Sequence, residues 1–413
     1  MKVLHLADVH LGMENYGKID PITGLNTRLQ DFIRCFSFAI DTAIKEDVDL
    51  VVFAGDAYKN SNPSATHQRE FAKQIYRLSE AKIPTVLVKG NHDNPVSYGR
   101  ATSIDIFSTL EIPNVYVVNE PDILRIPTKS GEANIFAVPW PTKEQHLTRD
   151  EMKGKTEKEI TQLIQEKVTN LIKYFAGYGS NDSIFVPNIF VGHLAIAEAT
   201  FSGSETSVII GTDPVIPVRL LSNSIFDYVA LGHIHKHQNL NPEGKPPIVY
   251  SGSIERINFG EEKDDKGFCL VNIEKGKTDY KFIPVPARKF ITIDIEIGAE
   301  EDPTEALLAE ITKHNLDNSV MRIYFTIPED RKQLIDFARV NEALKDSFMV
   351  KTITERAKPV IRARRMAITE DLGMVEALDR YIENNEDLKP YAEEMISKAK
   401  ELEQELINSE RSR

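Results

Sequence analysis

The chain has 413 residues, a formal net charge of -13, 41% hydrophobic and 27% charged residues. That length exceeds one core of ordinary size, so two or three globular domains are expected. The acidic balance argues against a freestanding, nonspecific nucleic-acid binder, because such a surface repels phosphates unless metal ions or a local basic patch reverse the field. The two cysteines, Cys35 and Cys269, lie far apart, which argues against a disulfide framework and for a reducing compartment. MKVLHLADVHLG is too interrupted by polar residues for a secretory signal, and no run is long and apolar enough for a membrane span. A cytoplasmic protein without membrane association is expected.

In chain order, KVLHLA, VDLVVFAG, PTVLVKG, NIFVG, FDYVALG and IVYSG are short apolar runs that read as buried strands. Helical patterns from Thr27 to Lys45 and from Pro63 to Glu80 separate the first three, the alternation of a layered α/β sheet. After about Pro286 the pattern changes. FITIDIEI alternates, with Ile291, Ile293, Ile295 and Ile297 on one face. Asp302, Pro303 and Glu305 make a helix start of capping-box type ahead of Leu307, Leu308 and Ile311. VMRIYFTI, a second helix near Arg331 to Leu344, and FMVKTI complete a small α+β unit. KTITERAKPVIRARR then sets Lys351, Arg356, Lys358, Arg362, Arg364 and Arg365 against Glu355 alone. Such a run is either a solvated linker or a positive field able to track a phosphate backbone. The tail carries two amphipathic stripes, Leu372, Val375, Leu378 and Ile382, then Tyr391, Met395, Ala399, Leu402 and Leu406. These pack on their own domain or receive a partner.

All the strands but the last run into polar clusters: Asp8 and His10 in ADVH, Asp56 in AGDA, Asn91, His92 and Asp93 in KGNHD, His193 in VGHLA, His233 and His235 in LGHIH. Singly, each has a plain explanation as a turn, a cap or a satisfied loop histidine. In open α/β sheets, however, ligands sit outside the carboxyl ends of the strands, so clusters in this succession should converge. Neutral imidazoles, carboxylates and one amide oxygen suit Mn²⁺, Fe²⁺ or Zn²⁺. No cysteine adjoins a cluster, which disfavours a structural zinc site. The donors are too many for one tetrahedral ion and fit two ions sharing a carboxylate, an arrangement used in phosphoryl transfer.

In this order DxH, GD, GNHD, GH and GHxH resemble the calcineurin-like metallophosphoesterases, over roughly Met1 to Gly260. LHLADVHLG, KGNHDNP and YSGSIERINFGEE resemble the SbcD-type nuclease branch of that family. The resemblance implies an α/β fold: a layered β-sandwich flanked by helices over residues 1–286 and an α+β DNA-binding cap over 287–360. A basic linker and C-terminal helices over 361–413 would dock an SbcC-type coiled-coil ATPase. One metal is implied at Asp8, His10 and His235 and a second at Asn91, His193 and His233, with Asp56 bridging and Mn²⁺ as the ion. His92 is implied beside the scissile phosphate as stabiliser or general acid, with Asp93 orienting it.

The resemblance further implies metal-assisted phosphodiester hydrolysis: 3′-to-5′ exonuclease action on duplex ends and endonuclease action at hairpins or single strands, in double-strand-break repair. It also points to a homodimer. The chain has no Walker A motif, so ATP belongs to the partner. Lys59 stands where some relatives carry a histidine; it attracts phosphate as a point charge but shuttles protons less readily, which leaves the balance of activities open. His237 falls outside the GHxH pattern and is expected to support the site or lie at the surface. His5 is expected in the core or at the surface, and His67, His146 and His314 have no assigned role. Two rivals share the scaffold: an enzyme for a small phosphodiester or phosphoprotein, and a noncatalytic DNA-end scaffold. The complete ligand set with His92 argues against the second.

Overall fold

The computed structural model describes residues 1–95, 99–178, 185–203, 205, 213–298 and 301–355, with 375, 378, 382, 391–393 and 395–401 beyond them. Met1–Glu355 form one compact unit and Arg356–Arg413 a second.

In the first unit, β1 (Lys2–Leu6), β2 (Leu50–Phe53), β3 (Thr85–Val88) and β4 (Val115–Val118) are parallel neighbours. β2 reads LVVF and is buried at every position, so it needs cover on both faces. The helices Thr27–Lys45 and Ala65–Glu80 are the first two crossovers, started by side-chain caps from Asn26 and Ser64. β5 (Asp122–Thr128) and β6 (Gly131–Val138) form an antiparallel pair, and β7 (Asn188–His193) lies parallel to β6. β8 (Ala195–Ile196) and β9 (Val215–Ile216) make a short ribbon. With β10 (Tyr228–Gly232), β11 (Gln238–Asn239) and β12 (Ile248–Tyr250), a second sheet has the order β11-β12-β10-β7-β6-β5. The hairpin β13 (Gly267–Glu274) and β14 (Lys277–Pro284) completes the first sheet on the free side of β1.

The period of two along each strand divides neighbours between separate cores. Val3, Val52, Val86 and Val88 face Ile135, Ile189, Val191, Ala230 and Val249 between the two sheets. Leu4, Val51 and Phe53 face outward onto Phe32, Phe36, Phe71 and Ile75 of the crossover helices. Phe136, Phe190, Val229 and Leu231 pack on Ile164, Val168, Ile172 and Phe175 of the helix Glu157–Ala176. The result is the expected layered α/β sandwich, with β1, β2, β3, β7 and β10 each delivering their following loop from a parallel strand.

β15 (Phe290–Glu296), β16 (Val320–Thr326) and β17 (Met349–Glu355) form a separate parallel sheet, packed on the helices Pro303–Thr312 and Phe337–Ala343. Asp302 caps the first helix through the N–H groups of Thr304 and Glu305. Glu305 pairs with Arg339 instead of closing a capping box. The continuous second helix expected near Arg331 to Leu344 is instead a 3₁₀ turn, Glu329–Leu334, followed by the short helix. Asp336 accepts the N–H groups of Ala338 and Arg339, and that local bond restarts the helix at the break.

The two parts of this unit meet at Arg288. Its Nε and Nη2 donate to Asp31 at 2.5 and 2.6 Å, its N–H to Glu255 at 2.9 Å, and Nη1 to the Asn318 carbonyl at 2.7 Å. In the second unit Val375, Leu378 and Ile382 are helical, Ile382 and Ala399 are buried, and Tyr391 is exposed. Arg356, Lys358, Arg362, Arg364, Arg365, Leu372, Leu402 and Leu406 lie outside the described residues.

Because Arg288 is buried with its carboxylate partner, Arg288→Ala leaves Asp31 with one buried pairing lost and should destabilise the chain by about 3–5 kcal/mol in urea denaturation. Lys2→Ala, which breaks only the exposed pair with Glu46, should cost less than about 1 kcal/mol. Equal small shifts for the two would remove the junction's claimed weight.

Candidate metal centre

All but one of the motif residues sit on sharp turns after the strands; His193 is the last residue of β7. Asp8, His10, Asp56 and His233 have φ of 54°, 47°, 60° and 99°. That left-handed region is uncommon for residues with a Cβ and costs on the order of 1–3 kcal/mol, so neighbouring contacts must enforce it. The Asp8 N–H bonds the Gly55 carbonyl at 2.9 Å, and the Val9 and His10 N–H groups share the Asp56 carbonyl at 2.9 and 3.1 Å. Glycine is required beside them: a Cβ on Gly90 would lie 2.0 Å from Asp56 Oδ1, and one on Gly55 2.2 Å from His193 Nδ1.

These turns bring Asp8, His10, Asp56, Asn91, His193, His233 and His235 together. Asp56 Oδ2 lies 3.6 Å from His10 Nε2 and 3.5 Å from His193 Nε2. On one side His10 Nε2 faces His235 Nε2 at 3.1 Å, and donor atoms of Asp8, His10 and His235 lie within 4.8 Å of one another. On the other, Asn91 Oδ1 is 2.8 Å from His193 Nε2 and 3.2 Å from His233 Nδ1. Basic nitrogens aimed at one another across a buried space suit a shared cation, and a sulfur-free set of nitrogen and oxygen donors fits a divalent one. The rings are fixed from behind: His193 Nδ1 donates to the Ala54 carbonyl at 2.7 Å, and His235 Nδ1 meets Glu261 Oε1 at 2.8 Å.

His92 stands at the edge of this set, its ring 4.9 Å from that of His10. Its Nδ1 lies 2.7 Å from the Lys59 carbonyl, which can only accept, so Nδ1 carries a proton and Nε2 is left for other chemistry. The His92 backbone N–H donates to Asp56 Oδ1 at 2.9 Å. The expectation that Asp93 orients the His92 ring is corrected here. Asp93 accepts the N–H groups of Asp56, Ala57, Tyr58 and Gly90 at 2.9, 3.1, 3.3 and 3.0 Å, so it ties together the turns that carry Asp56 and Asn91. Those N–H groups occupy the Asp93 carboxylate, and the His92 ring has the Lys59 carbonyl as its partner. The Lys59 side chain is exposed.

Of the remaining histidines, His237 bonds the Tyr250 carbonyl at 2.8 Å and stacks on Phe282 at 4.2 Å, so it supports the second sheet's edge. His5 is buried in the core against the Tyr228 hydroxyl and the Leu231 carbonyl. Sequence reading missed Glu261 and Lys266, which back His235, and Trp140, whose ring lies 4.7 Å from that of His233. The chain's one tryptophan was the available signal for the last.

Burial dominates the electrostatics. It pushes the Asp8 and Asp93 carboxyls up to about 6 and holds the His10 and His233 rings well below their ordinary value. Burial also works against a charged His193 and His235, but the Asp56 carboxylate beside the first and Glu261 beside the second outweigh it and raise both to about 9. Asp56 is held well below the usual carboxylate range: burial opposes its charge, and His193 and His92 more than compensate. A cation entering here must displace the protons of His193 and His235. Metal affinity should therefore rise from neutral pH through about 9 and level off above it, by at most about tenfold per pH unit for each proton displaced. Calorimetry in buffers of different ionisation enthalpy at pH 7.5 should show net proton release; zero release would contradict the pairing of these rings.

Three comparisons bear on this arrangement. The calcineurin-like phosphoesterase family profile matches residues 1–237. The D subunit of the nuclease SbcCD from Staphylococcus saprophyticus subsp. saprophyticus is 28% identical over 319 residues, 76% of this chain and 76% of the relative. Among solved structures, TT1561 of Thermus thermophilus gives a TM-score of 0.38 at 13% identity over 68% of this chain and 98% of that one. A dimetal phosphatase from Danio rerio gives 0.39 at 10% identity over 68% and 95%. Scores this low have no bearing on substrate. The family profile spans more than half of the chain and ends beyond the last of the converging motifs, and the chain therefore belongs to the calcineurin-like phosphoesterases, hydrolases of phosphate esters that use divalent metals.

Proposed function

We propose that this chain is a DNA nuclease: a 3′-to-5′ exonuclease on duplex ends and an endonuclease on hairpins and single strands, working in double-strand-break repair. One observation carries the choice of DNA over a small ester. The likeness to the D subunit of the nuclease SbcCD covers 319 residues, whereas the phosphoesterase profile accounts for 237, so the likeness runs on into the chain that follows the hydrolase segment.

In this reading Asp8, His10 and His235 would hold one cation and Asn91, His193 and His233 a second, with Asp56 available to both. Divalent ions held there, Mn²⁺ in the cell, would supply positive charge for the phosphate oxygens and lower the pKa of water. His92 acts at the leaving oxygen. With Nδ1 fixed on the Lys59 carbonyl, Nε2 is the atom that stabilises or protonates the leaving oxygen. Asp93 keeps the Asp56 turn in register, and the exposed Lys59 ammonium draws phosphate toward the site as a point charge. The α+β unit grips the duplex. Arg356, Lys358, Arg362, Arg364 and Arg365 supply the positive field that an acidic chain otherwise lacks.

The C-terminal helices dock an SbcC-type ATPase, and the chain works as a homodimer. The cytoplasmic setting is supported by two buried free thiols, and no described helix is long and apolar enough to cross a membrane.

With Mn²⁺, an end-labelled duplex should be shortened from its 3′ ends, and chelation should stop the reaction. His92→Gln should keep its metal by calorimetry yet lose about 10²- to 10⁴-fold in cleavage rate. Turnover of a small chromogenic phosphodiester, with the duplex left intact both with and without the ATPase, would overturn the DNA assignment while leaving the hydrolase.

A further inference from the structure

Glu261 stands behind His235 in a buried polar cluster whose other members have no ligand role. Glu261 and Ser253 are 0% exposed, Lys266 2% and His235 7%. Both carboxylate oxygens are engaged. Oε1 faces His235 Nδ1 at 2.8 Å, while Oε2 receives Lys266 Nζ at 2.8 Å and the Ile257 N–H at 3.0 Å. Lys266 Nζ also donates to Ser253 Oγ at 2.9 Å and to the His235 carbonyl at 3.1 Å. A carboxylate braced in this way cannot swing. It therefore holds a proton on His235 Nδ1 and turns Nε2 toward His10 Nε2.

The turn that carries Glu261, Phe259–Glu261, has a second face. Phe259 meets Phe290 edge to face with ring centroids 4.9 Å apart, and the Arg322 guanidinium lies 4.3 Å over the same ring. Glu262, the next residue, accepts the Thr292 N–H at 2.8 Å and the Thr292 hydroxyl. Phe290, Thr292 and Arg322 all belong to β15 and β16 of the α+β unit. One short turn thus touches that unit through residues 259 and 262 and the His235 ring through residue 261.

We propose that Glu261 is a positioning residue for His235, and that the seat of the α+β unit on its turn sets the affinity of the cation His235 holds. The proposal rests on the reading of His235 as a metal ligand. Linkage makes the effect reciprocal: whatever moves the seat alters metal binding, and metal binding firms the seat.

The test uses the full chain, titrated with Mn²⁺ by calorimetry and with Co²⁺ by visible absorption. His235→Ala should abolish one of two binding events. Glu261→Gln should weaken that same event by about 10- to 100-fold and change the Co²⁺ spectrum, with the other event untouched. Thr292→Val, which touches no donor atom, should weaken that event by at least about 5-fold. Wild-type affinity in Glu261→Gln, or equal weakening of both events, overturns the positioning role. An unchanged isotherm in Thr292→Val overturns the link to the α+β unit, and this variant decides the matter if Glu261→Gln does not fold. An unchanged isotherm in His235→Ala would instead remove the ligand reading itself.

Discussion

The carboxylate of Asp56 is where imidazoles from opposite sides of the site meet, and the surrounding structure is arranged to keep it ionised, buried and still. Its oxygens lie near His10, His193 and the His92 N–H, and its own backbone N–H is held by Asp93. A buried charge persists only when partners compensate the lost hydration, and here those partners come from several separate turns. None of the turns could hold its left-handed residue alone. Each is braced by carbonyl or carboxylate contacts from another, as Asp8 and His10 are by the Gly55 and Asp56 carbonyls. The strain and the site are two aspects of one network, a common condition where ligands must be placed with little freedom.

The rigid part of that network comes from the sheets. β1, β2 and β3 are parallel neighbours, as are β7 and β10, so successive motifs emerge side by side. Apolar packing on both faces fixes strand register, and register in turn fixes where each following residue falls. The histidine backing follows a different logic. His193 leans on the carbonyl of Ala54, the residue that follows β2 of the first sheet, whereas His235 leans on Glu261 from a turn outside both sheets. One half of the centre is thus tied to the sandwich core, and the other half to the segment on which the α+β unit sits.

Much of this convergence was legible because a residue immediately following a strand needs only that strand to be read correctly. KVLHLA, VDLVVFAG and FDYVALG mark where Asp8, Asp56 and His233 emerge, and the structure gathers them. Partners far apart in sequence left no such trace. Asp93 reaches back 37 residues to the Asp56 N–H, and Glu261 reaches 26 residues to His235. No local pattern distinguishes that use of a carboxylate from an ordinary cap. The β5–β6 pair, the helix Glu157–Ala176 and the β13–β14 hairpin also went unread. β14, at a sheet edge, is half polar and lacks the buried-strand pattern that marks β1 or β2.

Family, layered α/β arrangement and the residues that the strand ends bring together could all be read along the chain, because apolar periodicity and motif order are properties of neighbours in sequence. Which groups orient those residues was set by the packing of separate elements. It replaced Asp93 with the Lys59 carbonyl as the partner of the His92 ring, gave Asp93 to the backbone of the Asp56 turn, and placed Glu261 behind His235. The physical reason is that a hydrogen bond is settled by position and direction within a few tenths of an ångström. Those are set where separate elements pack, not along any one of them.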